Sequence, residues 1–159
     1  MTTAIILSTL RQEQQLITTL LDVLKDEQHY LVSAETEALA DLTPRKAELV
    51  QQMAAVGAQR HQVLGAAGFT GQDAGMEPWL ASAGADAAEG AAVWQDLLDK
   101  TRAAKELNRV NGMLITKQLS HNQVLINAMR TPTAAADAGV YSPSGQTSFG
   151  GPSRRYVLG

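Results

Sequence analysis

The sequence predicts an all-α protein, an elongated antiparallel bundle of three long helices with short helical segments. Aromatic residues make up only 4% of the 159 residues, whereas Ala, Leu and Gln are abundant. That composition favours helices packed through aliphatic side chains over a sheet. Apolar residues also recur at helical spacing along most of the chain, which indicates helices that each bury one face.

The first helix is predicted from Thr3 to Ser33 because its apolar residues follow a heptad. The residues that recur every seven positions are Leu10, Ile17, Leu24 and Leu31, and Ile6, Leu20 and Leu21 extend the same face. A sustained heptad indicates that this helix packs lengthwise against other helices.

A short helical turn over residues 36–42 is predicted next, with a restart at Thr43-Pro44. Thr is a good N-cap and Pro is favoured at the first helical position, so the second long helix is expected from Pro44 to about Ala67. One stripe of this helix carries Leu49, Met53, Val56, Arg60 and Val63. Glycines predict a loop over residues 65–75, and residues 76–80 are expected to form one turn that anchors Trp79.

The third long helix is predicted from about Ala87 to Met129, and its apolar stripe is interrupted by amides. Steps of three and four residues from Trp94 give Leu97, Thr101, Ala104, Asn108, Asn111, Ile115, Gln118, Asn122, Leu125 and Met129. A buried amide needs a hydrogen-bond partner. The four amides therefore have two interpretations: they set the register of a coiled coil, or they belong to a surface that another protein covers. Gly112 within this helix fits a bend or a close approach.

Composition and charge exclude several classes of function. The chain has no Cys, so disulfides and thiolate chemistry are excluded. A net charge of −3 argues against nucleic acid as the main partner. The first residues lack the basic segment of a secretory signal, and no apolar run reaches the length of a membrane span. We therefore expect a cytoplasmic protein without membrane insertion.

The composition changes at Thr131-Pro132, which predicts two parts: a helical domain over residues 1–130 and a flexible tail over residues 131–159. The tail contains five of the thirteen glycines and three of the five prolines, and such a segment buries too little apolar surface to fold. It also carries three of the seven aromatic residues, Tyr141, Phe149 and Tyr156. Aromatic side chains in a flexible tail are more useful for binding than for folding; the other interpretation is a plain solvated terminus.

The sequence shows no catalytic, cofactor or metal site, so we do not expect an enzyme. The three histidines lie on different predicted helices, and no phosphate loop or zinc spacing is present. One alternative is a histidine phosphotransfer domain, because residues 61–67 resemble its His-x-x-Lys-Gly segment. Leu64 stands where that segment has its Lys, which removes the cation that would support a phosphoryl group.

Residues 108–115 resemble the FlgN-like flagellar export chaperones. The similarity rests on Asn108-x-x-Asn111-Gly112-x-Leu114-Ile115, with support from residues 38–43, from Lys46 ahead of Leu49-Val50, and from residues 141–146. Ser142 departs from the pattern, where a Gly would be expected after the Tyr. The resemblance implies a small cytoplasmic chaperone without ATPase activity. It also implies that the chaperone holds hook-associated (hook–filament junction) proteins and delivers them to the type III export gate.

The partner-binding surface is predicted on the second half of the last helix and on the tail. The apolar band there is wider than one internal helix contact requires. The residues assigned to binding are Asn108, Asn111, Gly112, Leu114, Ile115, Leu119, Asn122, Leu125, Ile126, Met129 and Tyr141. The expected partners are the hook-associated cargo and a component of the export gate. A structural or adaptor coiled coil is the other interpretation, and homo-oligomerisation stays open.

Overall fold

The structure, a computed structural model, describes residues 1–130, which are helical along most of their length and contain no strand. The four α-helices are α1 (Thr2–Ser33), α2 (Thr36–Ala66), α3 (Met76–Ser82) and α4 (Ala87–Arg130). Two short 3-10 helices, Asp73–Gly75 and Gly84–Asp86, flank α3. The predicted all-α class with three long helices is confirmed. The predicted tail lies outside the described residues.

The chain divides into two units, Met1–Leu119 and Ser120–Gly159. The hydrophobic core lies in the first unit, between the faces of the long helices and α3. The heptad residues of α1 are all buried there, as predicted: Leu10, Ile17, Leu24 and Leu31. The periodicity of α1 therefore serves packing inside this chain.

Helices α1 and α2 form an antiparallel hairpin. Ala34 adopts a left-handed conformation with φ of 58° and ends α1 through a hydrogen bond from its N–H to the carbonyl of Tyr30. Two ion pairs then join the helices. Glu13 Oε1 accepts from Arg60 Nε at 2.6 Å, and Glu27 Oε1 lies 3.0 Å from Lys46 Nζ.

Helix α4 lies along α1 and runs parallel to it, so the long helices alternate in direction along the chain. Four side-chain contacts occur in the same order on both helices: Arg11 with Glu89, Gln14 with Asp96, Asn111 with Leu24, and Gln118 with Leu31. The end of α2 already lies near the start of α1, since Arg60 contacts Glu13. Loop residues 67–72, α3 and the two 3-10 helices connect it to the start of α4 at the same end.

The predicted break at Thr43-Pro44 is wrong, because α2 continues through Pro44 without interruption. Pro lacks the N–H that would bond the carbonyl of Ala40, but Ala40 and Pro44 are both exposed, so water can reach that carbonyl. The Thr43 hydroxyl donates to the carbonyl of Leu39 at 2.9 Å instead of capping a new helix. The signal for a helix start is thus overridden by the continuous packing of α2 on α1.

Helix α3 anchors Trp79 in the core, as predicted. The Trp79 side chain is 2% exposed and rests against Gly90 in the first turns of α4. A Cβ built on Gly90 would come within 3.1 Å of the Trp79 ring and 2.9 Å of Leu80. Gly90 therefore allows α4 to approach α3 closely enough to cover the indole.

None of the helices within residues 1–130 is long and apolar enough to cross a membrane.

Candidate partner-binding surface

The inner face of α4 enters the core only as far as Asn111. Its buried residues are Gly90, Trp94, Leu97, Ala104 and Asn111. Beyond Asn111, only Leu114 and Gln118 are partly covered, and the rest of α4 in the first unit is exposed. Helix α4 therefore changes from a packed helix to a largely uncovered one within its length.

Asn111 occupies a position inside the bundle. It is 1% exposed, and its Nδ2 donates to the carbonyl of Leu24 at 2.9 Å and to Glu27 Oε2 at 2.8 Å. Because Glu27 also binds Lys46, this cluster joins all three long helices. For Asn111 the contacts match the register-setting interpretation of the amides.

Gln118 makes a similar contact two turns further along α4. Its Nε2 donates to the carbonyl of Leu31 in the last turn of α1. A carbonyl in the last turn of a helix has no partner within that helix, so the amide satisfies an acceptor that would otherwise face solvent. Asn111 and Gln118 thus fix α4 against α1 at two successive points.

The outer face of α4 in the first unit has no cover. Asn108, Gly112, Ile115 and Leu119 follow one another at spacings of four, three and four residues, and all four are exposed. Asn108 and Ile115, predicted on the same seam as Trp94, therefore lie outside the core. Asn111 and Gln118, the other two residues of that seam in this part of α4, are buried and partly covered.

Residues Ser120 to Arg130 of α4 belong to the second unit and are all exposed. They include four of the predicted binding residues: Asn122, Leu125, Ile126 and Met129. Leu125 is 47% exposed and Met129 is 80% exposed. Tyr141 lies outside the described residues.

The structure exposes two further large apolar side chains on α4 that the sequence reasoning did not select. Met113 is 59% exposed and Val124 is 62% exposed. Both lie off the seam that was traced from Trp94. An apolar residue away from the seam of an amphipathic helix is itself a signal, and it would have found both.

Hydrogen bonds lower the pKa of two acids on α4. The bidentate hydrogen bond from Arg109 lowers the pKa of Glu106 below its usual value. The hydrogen bond from Lys100, followed by that from Gln14, likewise lowers the pKa of Asp96. Both carboxylates remain charged at neutral pH, so the sides of α4 around its apolar face are polar.

His61, the residue of the phosphotransfer alternative, is engaged within the chain. Its Nε2 lies 2.9 Å from Asp73 Oδ1, and the same oxygen accepts from Arg60 Nη2 at 2.8 Å. Leu64, at the position of the missing Lys, is completely buried. The described residues contain no group of His, Asp or Glu side chains arranged to hold a metal ion.

The first unit is thus a helical bundle in which the outer face of α4 is exposed at Asn108, Gly112, Ile115 and Leu119. Comparison with known protein families identifies the family of this chain. Residues 1–148 match the FlgN protein family, and the chain belongs to that family. FlgN proteins are flagellar export chaperones, so this protein is an export chaperone of the flagellum. Searches of curated proteins and of solved structures gave no match.

Proposed function

We propose that this chaperone binds hook-associated proteins of the hook–filament junction in the cytoplasm and delivers them to the export gate. Binding is assigned to the second half of α4 and to the tail around Tyr141. The cargo class and the gate are those that membership of the FlgN family favours. The observation that carries the binding assignment is the exposure of apolar side chains on α4.

These side chains are concentrated in one stretch of the described chain. Of the eleven exposed large apolar residues in residues 1–130, seven lie between positions 113 and 129. They are Met113, Ile115, Leu119, Val124, Leu125, Ile126 and Met129. An apolar concentration of this kind is a mark of a protein–protein site. An amphipathic segment of the cargo would bury these side chains by docking against them as a helix.

A structural coiled coil that oligomerises through its heptads has less support. The heptad residues of α1 are buried within the chain, so they are not available to a second copy. The exposed face of α4 lacks a comparable leucine heptad, because Asn108, Gly112 and Asn122 interrupt it.

The test is a double substitution, Leu119→Asp with Ile126→Asp, assayed against a purified hook–filament junction protein. Leu119 is 65% exposed and Ile126 is 39% exposed, so the helical circular dichroism spectrum should be unchanged while binding is lost. The matched control is Ile5→Asp with Val32→Asp, which makes the same change at two exposed positions of α1. Equal binding by the α4 double variant and the control would place the site elsewhere.

A further inference from the structure

A groove of about 350 Å³ opens between α1, α2 and α4 in the first unit. Its floor contains Leu20 and Leu24 of α1, and its walls contain Val50 and Met53 of α2 and Ala104 of α4. Val50 is 50% exposed even though it lines an apolar surface. The three long helices thus leave apolar surface uncovered where α2 and α4 face each other.

This groove leads directly onto the outer face of α4. Thr101, Lys105 and Asn108 line it, and Gly112, Ile115 and Leu119 continue the same row at alternating spacings of four and three residues. Residues at that spacing form one seam of a helix and can contact one partner helix along its length. The row from Thr101 to Leu119 is about 27 Å long at 1.5 Å per residue.

Gly112 lies in the middle of this row and has no packing role within the described chain. A Cβ placed on it would meet nothing within 4 Å, in contrast to Gly90, which is needed against Trp79. A glycine in an exposed helix interior costs about 1 kcal/mol relative to alanine. Its presence fits the close approach of a partner backbone at that point.

The charges that line the groove are all positive. Lys46 and Lys105 are its only charged lining residues among those described. Lys46 is paired with Glu27, whereas Lys105 makes no ion pair to any residue in the range 1–130. A segment that lies in the groove therefore gains if it places a carboxylate beside Lys105.

We propose that the groove and the outer row of α4 together hold one amphipathic helix of the cargo, with apolar side chains in the groove and an acidic residue next to Lys105. This inference rests on the proposed function and specifies the form of the bound segment. The row accommodates about five helical turns. Residues 131–159 of this chain match poorly, since they carry one acid, Asp137, against Arg154 and Arg155.

The occupant is identified by a photoreactive p-benzoylphenylalanine in place of Val50 in the full chain, mixed with a purified hook–filament junction protein. Mass spectrometry should find the crosslink on a helical cargo segment that carries acidic residues beside its apolar stripe. A crosslink to residues 131–159 or to a second copy of the chain would overturn the inference. Absence of any crosslink in a mixture that binds would overturn it as well.

Two substitutions test the energetics of the groove. Val50→Asp should weaken cargo binding about tenfold or more, because it places a charge on the apolar wall. Lys105→Glu should weaken it about threefold to tenfold and reduce the dependence of binding on salt. The matched controls are Val32→Asp and Lys25→Glu, which make the same changes at exposed positions of α1 that do not line the groove.

The two proposals fail in distinguishable ways. Absence of cargo binding by the unmodified chain overturns both. If the unmodified chain binds and Leu119→Asp with Ile126→Asp abolishes binding, while Val50→Asp and Lys105→Glu behave like their controls, only the groove is wrong. Circular dichroism of each variant separates loss of binding from loss of fold.

Discussion

The side chain of Asn111 on α4 donates a hydrogen bond of 2.8 Å to the buried carboxylate of Glu27 on α1. The same carboxylate accepts from Lys46 of α2 at 3.0 Å. One acid therefore ties the three long helices together at the depth where α4 leaves the core. Beyond Asn111, only Leu114 and Gln118 of α4 in the first unit are partly covered.

Asn111→Ala should destabilise the fold. It removes both hydrogen bonds of the amide and leaves part of the Glu27 carboxylate without a donor, which costs about 1–3 kcal/mol. Urea unfolding followed by circular dichroism measures this loss. Asn108→Ala is the control, since it removes the same side chain from an exposed position one turn away and should change stability by less than about 0.5 kcal/mol. Equal effects of the two substitutions would contradict a structural role for the Asn111 amide.

The Glu13–Arg60 pair should behave as a buried ion pair. Both residues are 4% exposed, and the Arg60 guanidinium also lies 4.9 Å from the centre of the Trp94 ring. Arg60→Ala leaves the Glu13 charge without its partner and should cost about 3–5 kcal/mol of unfolding free energy. The double variant Glu13→Leu with Arg60→Met should be much more stable than Arg60→Ala. An apolar pair of similar size is often as stable as a buried ion pair.

The exposed contact between Arg11 and Glu89 provides the comparison for this pair. Arg11→Ala should change the unfolding free energy by no more than about 1 kcal/mol, because exposed ion pairs contribute little. If Arg60→Ala were as mild as Arg11→Ala, the Glu13–Arg60 pair would not be important for the core.

The contribution of Asp73 to stability should depend on pH. Burial raises the pKa of Asp73, but hydrogen bonds from His61 and Arg60 and their charges outweigh it and lower the pKa below its usual value of 3.8. A group whose pKa is lower in the folded state contributes stability above its unfolded pKa. That contribution is lost as pH falls through the lower folded value.

Asp73→Asn should therefore lower the urea midpoint at pH 7. The difference in urea midpoint between this variant and the unmodified chain should stay constant down to about pH 5 and shrink below pH 4. A pH series of urea titrations measures it. A difference that is unchanged at pH 3 would contradict this assignment, and so would a difference that widens on acidification.

The sequence predicted the elements better than their polar contacts. The heptad of α1 and the start of α4 at Ala87 were readable because apolar periodicity determines which face is buried. Pro44 was misread, since a helix start signal is local whereas the packing of α2 on α1 is not. Glu13 and Glu27 also lie on the α1 seam, fourteen residues apart, as do their partners Arg60 and Lys46 on α2. Charged residues on an apolar seam could have indicated buried pairs, but the choice of partner requires the fold.

For the candidate surface, the sequence located the stretch but not the division between its two faces. Asn111 and Asn108 have the same side chain and are three residues apart, yet one is buried and the other is exposed. Their difference depends on how α4 rotates relative to α1, which single-sequence periodicity leaves uncertain by tens of degrees over two heptads. The groove wall at Val50 could not be predicted from the sequence, because it forms only when α2 and α4 are placed on α1.

Truncation after Arg130 should separate folding from binding. The buried core within residues 1–130 is formed by residues up to Asn111, so the melting temperature should stay almost unchanged. Binding to the hook–filament junction protein or to the export gate should weaken measurably, because the removed segment carries Tyr141 and two other aromatic residues. A few apolar anchors on such a segment give modest affinity, which suits a chaperone that must release its cargo. Tyr141→Ala in the full chain is the matched variant and should reproduce part of the loss. If the truncated chain unfolds, or binds both partners as tightly as the full chain, the role assigned to the tail is wrong.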